Sequence, residues 1–452
     1  MVEESPVIIV GAGIAGLAAA CKLGGSGLSV VMLEARDRIG GRILTLREPA
    51  FASAIELGAE FIHGMPPEIL QPLQKSRSEI TEVDGDNWCV SDGRLRACDF
   101  FSQIDFILEK MEDSSPDESF LDFLQRCFPS PGQDPKLEDA KRRAVNYVSG
   151  FNAADPRLVG VHWLVEGMRA EKTIQGDRAF RSKNGYQDLL DCFQREIADL
   201  DVTIHTSTVV ESIAWTGDWA EIRAHGREQS EALTASKVLI TLPLAVLQAS
   251  TAQGTVGEGT VRFTPGLPKQ KLEAMKKMEM GKVVRVALRF CHRFWENVSP
   301  AHENKALAGM SFLFSQDEWF PTWWTAMPKE DPIITGWAPF RSAERLLGQS
   351  QNSVVQQALH TLAGLLSVSQ QNLEGALESA YFHNWQGDPF SRGAYSYGKV
   401  GSDGAQAALG APVENTLFFA GEATDVSGHN GTVHGAIASG YRAAVEILQR
   451  RR

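Results

Sequence analysis

No run in the 452 residues reaches the eighteen or so consecutive apolar side chains that a membrane-spanning helix needs. Nothing in the sequence therefore anchors the chain in a bilayer. The opening MVEESP lacks a basic stretch followed by an apolar core, the mark of a secretory leader, so the expectation is a cytoplasmic protein. Paired cysteine spacing is missing too. Cys21, Cys89, Cys98, Cys127, Cys192 and Cys291 include no CxxC pair, which argues against a zinc site and a disulfide framework and predicts buried thiols. Positive charge is in deficit: 44 Lys and Arg against 56 Asp and Glu leave a net charge of -12, which disfavours nucleic acid and draws cations toward any cleft where the acids gather. Repeats and low-complexity tracts are absent, and the terminal QRRR reads as a solvated helix end.

What is present begins with size. At 452 residues, with 43% hydrophobic and 22% charged residues, the chain is long enough for two or three domains and for enclosing a large cofactor. Val7 to Val10 is an all-apolar run suited to a strand covered on both faces, and Gly11, Gly13 and Gly16 follow it as GxGxxG. A helical register through Ala18, Ala19, Ala20 and Leu23 ends near GGSG, and Leu28 to Leu33 gives a second buried strand that finishes at Glu34. In such a βαβ unit the first glycine permits the tight turn, the second lets backbone N–H groups approach a pyrophosphate, and the third lets helix pack on strand. Glu34 suits the hydroxyls of an adenosine ribose. FAD and NAD both remain open at this point. ARDRIGGR then brings Gly40 and Gly41 close to a cofactor again and supplies Arg42 to neutralise a diphosphate, which favours an extended cofactor.

From about Pro66 to Leu200 the pattern predicts mostly helix, with periodic stretches such as DFFSQIDFILEKMED and GYQDLLDCFQREIADL; the polar loops Asp113 to Ser119 and PSPGQDP are turn-forming punctuation. Buried strands return at DVTIHTSTVVESIAWTG and SKVLITLPLAVLQ, where the chain re-enters the nucleotide domain and the backbone near Val210 can reach the adenine. GKVVRVALRFCHRFW and WFPTWWTAMP predict strands of a separate sheet. NTLFFAGEATDVSGHNGTVHGAIASGYRAAVEILQRR reads as strand, glycine-rich loop and closing helix.

Taken together, VIIVGAGIAGLAAA, LEARDRIGGR, ELGAEFIHG, GAYSYGKVG, FFAGEAT and GTVHGAIASGYRAA, in that order, resemble the flavin-dependent amine oxidase family, which includes monoamine oxidases, polyamine oxidases and lysine-specific histone demethylases. The resemblance implies an α/β protein: a Rossmann-like FAD-binding domain of the p-hydroxybenzoate hydroxylase type, from residues 1–84, 198–255 and 405–452, and a substrate domain from 85–197, the helical part, and 256–404, built on a six-stranded mixed sheet. FAD contacts are expected at Gly11, Gly13, Gly16, Glu34, Ala35 and Arg36, at Gly41, Arg42, Gly58 and Ala59, at Val210 and Trp385, and at Gly421, Glu422, Thr432 and Val433. Ala394 stands where membrane monoamine oxidases have the flavin-linking cysteine, which implies non-covalent FAD. The C-terminal membrane helix of those enzymes, and the extra N-terminal domain and helical insertion of the demethylases, are not seen.

The catalytic set that the resemblance implies is Lys282, holding a water against flavin N5; His63, at the substrate entrance; Tyr395, on the aromatic wall; and Thr432, where monoamine oxidases carry an aromatic and polyamine oxidases a threonine. Lys282 needs burial for that role. His63, the histidine of ELGAEFIHG, is by residue type alone more often a structural imidazole. The histidines show no ligand spacing with carboxylates, and no metal is expected. The implied reaction is oxidation of a polyamine or related alkylamine by hydride transfer to flavin, giving an imine, then aldehyde and amine, with O2 reduced to hydrogen peroxide. Two other readings stand beside it: a desaturase or porphyrinogen-type oxidase acting on carbon–carbon bonds, and a flavoprotein that binds a peptide tail. No oligomeric state is implied.

Overall fold

The computed structural model describes residues 5–450 apart from 49–53, 92, 130–133, 227–229, 253–256 and 302. The expectations for MVEESP, for part of PSPGQDP and for the last two arginines lie largely outside the described residues. Alternation of side chains organises the nucleotide half. Five parallel strands stand in the order Val202–His205, Val30–Leu33, Val7–Val10, Val238–Ile240, Leu417–Phe419. Val7 and Ile9 face a core shared with the helix Ile14–Gly24, while Ile8 and Val10 face a second core with Ile213, Trp215 and Ile222. Both faces are covered, which is why the run reads as continuous apolar sequence rather than alternating. Each such buried aliphatic side chain contributes about 1.5–3 kcal/mol.

The second core belongs to a four-stranded sheet, Ser230–Ala235, Ala220–His225, Val209–Trp215 and Arg262–Thr264 in that order. On the opposite side the helix Ile14–Gly24 buries every residue but Lys22, because it lies between the parallel sheet and the closing helix Val433–Gln449. Small residues make that approach possible. A Cβ on Gly16 would sit 2.2 Å from the Gly11 carbonyl oxygen, and one on Gly440 2.2 Å from that of Ala15.

The other half is a seven-stranded sheet in the order Leu377–Phe382, Val283–Phe290, Ile333–Pro339, Thr322–Thr325, Met310–Phe314, Asp86–Ser91, Arg94–Ala97. The count is one above the expected six, and two of the seven strands form the hairpin Asp86–Ser91 and Arg94–Ala97, which turns at Gly93 with φ +68°. Val284, Val286, Leu288 and Phe290 pack against the helix Gln351–Leu366. The odd-numbered face of that strand turns the other way, toward the nucleotide half.

The segment 66–200 is less helical than its pattern suggested. It contains the strands Ile80–Glu82 and Ala179–Ser182 and the hairpin, and DFFSQIDFILEKMED yields only the single turn Asp105–Leu108. Phe100, Ile104, Ile107 and Leu108 still face one core, so the apolar periodicity was real while the helix was not continuous. The cysteine reading also needs correcting. Hairpin register sets Cys89 opposite Arg96, and Cys98 closes the bridge with a Cα–Cα distance of 5.8 Å. Pairing here was set by strand register, which spacing rules do not encode. Cys21 and Cys192 are buried thiols, Cys127 is half-buried and Cys291 exposed. Among the described residues no helix is long and apolar enough to cross a membrane, and no group of His, Cys, Asp or Glu is arranged to hold a metal.

Candidate functional site: a cavity between the two halves

A cavity of about 1160 Å³ runs from the glycine-rich turn of the parallel sheet to the odd-numbered face of the seven-stranded sheet. At its nucleotide end, Gly11 has φ +103°, in the region that L side chains avoid, and a Cβ there would lie 2.7 Å from Thr241 Oγ1. Gly13 bridges to Gly40 and faces the Cα of Gly41, so both glycine motifs form one bare backbone floor. Glu34 accepts the N–H groups of Ala12 (2.8 Å) and Arg36 (2.9 Å), one on each oxygen. A carboxylate has about four acceptor positions, so two remain for ribose hydroxyls. Bare floor and acceptor together fit a dinucleotide. Ala35 and Arg36 line the same end, with the Arg36 guanidinium held by Asp388 and Ser391 at 2.8 Å each.

Arg42 joins three chain segments. Its Nη1 donates to the Ala394 carbonyl (2.7 Å) and to Glu422 (2.8 Å); Glu422 in turn accepts from Ser396 Oγ (2.6 Å) and the Gly431 N–H (3.1 Å). Gly58 and Ala59 line the adjoining wall, and a Cβ on Gly58 would meet the Arg42 carbonyl oxygen at 1.9 Å. Trp385 is buried there, its indole N–H donating to Leu57 O at 2.7 Å. Val210, Gly421, Thr432 and Val433 line the cavity as well, whereas Gly16 lies off it, in the first turn of the helix Ile14–Gly24 and packed on the Gly11 carbonyl. The Thr432 hydroxyl is engaged in capping the helix Val433–Gln449, donating to His429 O and accepting from the Gly435 N–H. It is a structural cap first.

The other end is aromatic. Phe61 meets His63 and Trp324, His63 meets the edge of Phe151 at 5.3 Å, and Phe151 stacks on Tyr147 at 5.5 Å. Tyr395 donates its hydroxyl to Phe151 O at 2.7 Å, and burial holds its phenol well above the usual range. His63 lines the cavity, and burial lowers its pKa to about 4. His434, also on the wall, falls to about 3 through burial and then through His429 and His63. Both rings are neutral at pH 7.

Lys282 is not among the residues that line the cavity. It pairs with Glu344 at 2.7 Å on the exposed side, so the burial its expected role required is absent. A strand reverses face at each residue, and Arg285, three positions on, has the opposite orientation. Arg285 is 5% exposed and lines the cavity; its guanidinium donates to Gly58 O (2.9 Å) and to Glu60, and lies over Trp324. Glu60 also accepts from Arg181 (2.7 Å) and the Trp324 indole (3.0 Å). Burial pushes this carboxyl up, but Arg285 and Arg181 outweigh it and hold the pKa below the ordinary value. Nearby Glu56 has hydrogen bonds from Thr45 and Tyr186 but no such pair of cations, and burial raises its pKa to about 8. With Glu60 ionised between two guanidinium groups, the cluster of Arg285, Glu60 and Arg181 behind this wall carries a net charge of about +1. Arg285, Glu60, Arg181 and Trp324 escaped the sequence reading; Glu60 lies within ELGAEFIHG, and strand parity alone could have moved attention from Lys282 to Arg285.

The depressed His63 pKa has a thermodynamic sign. An unfolded chain takes up a proton near pH 6.5 that the folded chain refuses until about pH 4, so this residue's contribution is complete above pH 6.5 and is lost as pH falls from 6.5 to 4. His63→Gln should reduce the loss of stability between pH 7 and 4.5 by about 1–3 kcal/mol, with His434 supplying part of what remains. Urea titrations at both pH values measure it, and parallel slopes for the two proteins would place the ring in contact with bulk water.

With this geometry, similarity to known proteins is specific. The sequence profile described as flavin containing amine oxidoreductase matches residues 89–448, and that of an NAD(P)-binding Rossmann-like domain matches residues 9–75. Polyamine oxidase 4 of Oryza sativa subsp. japonica is 26% identical across 98% of this chain and 88% of its own length. Lysine-specific histone demethylase 1 homolog 3 of Arabidopsis thaliana is 27% identical across 99% of this chain, which spans only 30% of that protein's length. Putrescine oxidase with putrescine bound shares the fold at a TM-score of 0.79 and 20% identity, over 99% of both chains. The chain belongs to the flavin-containing amine oxidoreductase family.

Proposed function

We propose that this protein oxidises a polyamine or related alkylamine at the carbon beside nitrogen, producing an imine that hydrolyses to aldehyde and a smaller amine. FAD, held non-covalently, would supply the two-electron acceptor for the hydride lost from that carbon, with O2 as the final acceptor and hydrogen peroxide as its product. We read residues 1–84, 198–255 and 405–452 as the unit that holds it and 85–197 with 256–404 as the unit that holds the amine. Gly11, Gly13 and Gly41 admit the diphosphate, Glu34 accepts from the ribose, and Arg42 with Glu422 fixes the loops around the ring end. The expected role of Lys282 passes to Arg285.

The observation that carries this reading is the continuity of one cavity from the dinucleotide floor to a wall where His63 and Tyr395 are neutral and Arg285 is held against Glu60. Only a deprotonated amine has the lone pair that expels hydride. A desolvated pocket backed by the net positive cluster of Arg285, Glu60 and Arg181 disfavours ammonium and favours that form. Neutral His63 can accept a hydrogen bond from the amine, and Tyr395 confines its approach. Flavin absorbance followed anaerobically with spermine, spermidine and their acetylated forms tests the assignment. Bleaching by one or more of these amines is the expected result; bleaching by carbocycles alone would transfer the protein to desaturase chemistry.

A further inference from the structure

Eight ring-bearing side chains on the cavity wall form a closed circuit of contacts. One arc leaves His63 through Phe61 and Phe312 to Phe314, with centroids 6.1, 5.8 and 5.9 Å apart. The other leaves His63 through Phe151 and Tyr147 to Phe101, at 5.3, 5.5 and 5.9 Å. Phe100 closes the circuit: it meets Phe101 at 5.6 Å and stacks on Phe314 at 4.4 Å, the shortest step of all. The circuit therefore depends on where residues 100 and 101 are held.

Outside the core contacts of Phe100 and Ile104, that hold is one covalent bond. Both phenylalanines follow the edge strand Arg94–Ala97, whose only sheet partner among the described residues is Asp86–Ser91 and in which Arg94, Arg96 and Ala97 are exposed. Cys98 ends this strand and is bridged to Cys89. Cys89 in turn stands opposite Phe314 in the register with Met310–Phe314, so the bridge spans the same segments as the Phe100 and Phe314 stack. A cation meets the bridge as well. Arg143, 9% exposed, brings Nη1 within 3.6 Å of Cys89 Sγ, while its Nε and Nη2 donate to Asp139 and Ser91. It lies one turn before Tyr147 and two before Phe151 on the helix Pro135–Phe151, so one helix face touches both the bridge and the circuit.

A guanidinium beside a disulfide sulfur has a chemical use, because thiol–disulfide exchange is faster when the leaving sulfur is stabilised as thiolate. Cys98 is half-buried and Cys89 buried. Attack of a dithiol's thiolate on Cys98 Sγ breaks the S–S bond and expels Cys89 as a thiolate beside Arg143. The dithiol's second sulfur then displaces Cys98, leaving two protein thiols and a cyclic disulfide. The return needs a two-electron oxidant, and hydrogen peroxide, the product of the reaction proposed above, is one. Cys89 thiolate attacks peroxide to give the sulfenic acid and hydroxide; the Cys98 thiol then attacks that sulfur, the S–S bond forms and water leaves.

We infer that the Cys89–Cys98 bridge is a redox-controlled clasp on the amine end of the cavity. Closed, it keeps Phe100 and Phe101 in the circuit; opened by a dithiol, it releases them and weakens amine binding, and peroxide from turnover closes it again. The inference rests on the amine-oxidase reading and adds to it regulation of the same site by its product.

The test uses flavin-loaded wild-type enzyme, either oxidised or treated with dithiothreitol and then freed of it. Thiol alkylation read by mass, hydrogen exchange of residues 98–108, calorimetric amine binding and anaerobic flavin reduction are followed separately. Reduction should release two further thiols, speed exchange of that segment about tenfold, weaken spermine and spermidine binding about tenfold and leave the limiting flavin-reduction rate within about twofold. Cys98→Ser should bind amines as the reduced form does and ignore dithiothreitol, and Arg143→Gln should slow bridge opening about tenfold. Reduced enzyme turning over amine in air should regain the bridge, and catalase should prevent it. A bridge that opens with no change in exchange or amine binding is only a hairpin staple, and that result overturns the inference. So does a bridge that dithiothreitol leaves shut, or one that returns as fast with catalase present. Enzyme that no amine reduces in either redox state would overturn the parent reading instead, and hydrogen exchange alone would then decide for or against the clasp.

Discussion

Arg42→Met should lower the stability of the FAD-free protein by about 3 kcal/mol and leave protein that no longer retains flavin through gel filtration. The expectation follows from what Arg42 joins. Its Nη1 contacts the Ala394 carbonyl and Glu422, and the Glu422 side chain, 5% exposed, accepts simultaneously from Ser396 and Gly431. Methionine would fill the aliphatic volume but leave a buried carboxylate with neutral donors only. Breaking a buried pair costs about 3–5 kcal/mol, largely through the charge left behind; Arg42 is itself 24% exposed, which puts the cost at the lower end. The double variant Arg42→Met, Glu422→Gln removes that orphaned charge and should recover about half of the loss. Urea unfolding of the four proteins gives the coupling directly. If the double variant is no more stable than Arg42→Met, the cost arises from the Ala394 contact rather than from the ion pair.

The nucleotide half was legible because its signals are local. Val7–Val10, the three glycines and Glu34 occupy one βαβ unit, and each residue's task follows from its distance along the chain. The substrate half is made by encounters between distant segments. Arg285 meets Glu60 across 225 positions, and Arg181 meets Glu60 across 121; no spacing rule connects them. Lys282 was the natural choice while the strand's start was unknown, since only strand parity tells which residue of GKVVR faces inward. The Cys89–Cys98 bridge was hidden by the assumption that 66–200 was helical, because only a hairpin brings those two residues together.

Arg285→Met should slow amine-driven flavin reduction at neutral pH by about a hundredfold and move the acid limb of its pH profile up by about one to two pH units. The two guanidinium groups and Glu60 give the cluster behind the wall a net charge of about +1, and this substitution brings it to zero. A positive cluster lowers the pKa of a nearby bound amine; removing its charge lets ammonium persist to higher pH, so activity at neutral pH falls and returns on alkalinisation. Arg285→Met, Glu60→Gln restores the net charge through Arg181 alone. If charge is what matters, the double variant should recover most of the acid-limb shift, although Arg285 itself is gone. Recovery that fails would assign the effect to the guanidinium's hydrogen bonding, for which its Nε–H, buried without an acceptor among the described residues, is the specific candidate. Arg285→Lys then divides that remainder, since an ammonium keeps the charge but not the planar fork that spans Gly58 O and Glu60. Unchanged pH profiles in all three variants would mean that the cluster's charge does not reach the reacting nitrogen, and the preference for a free-base amine would then have to come from burial alone.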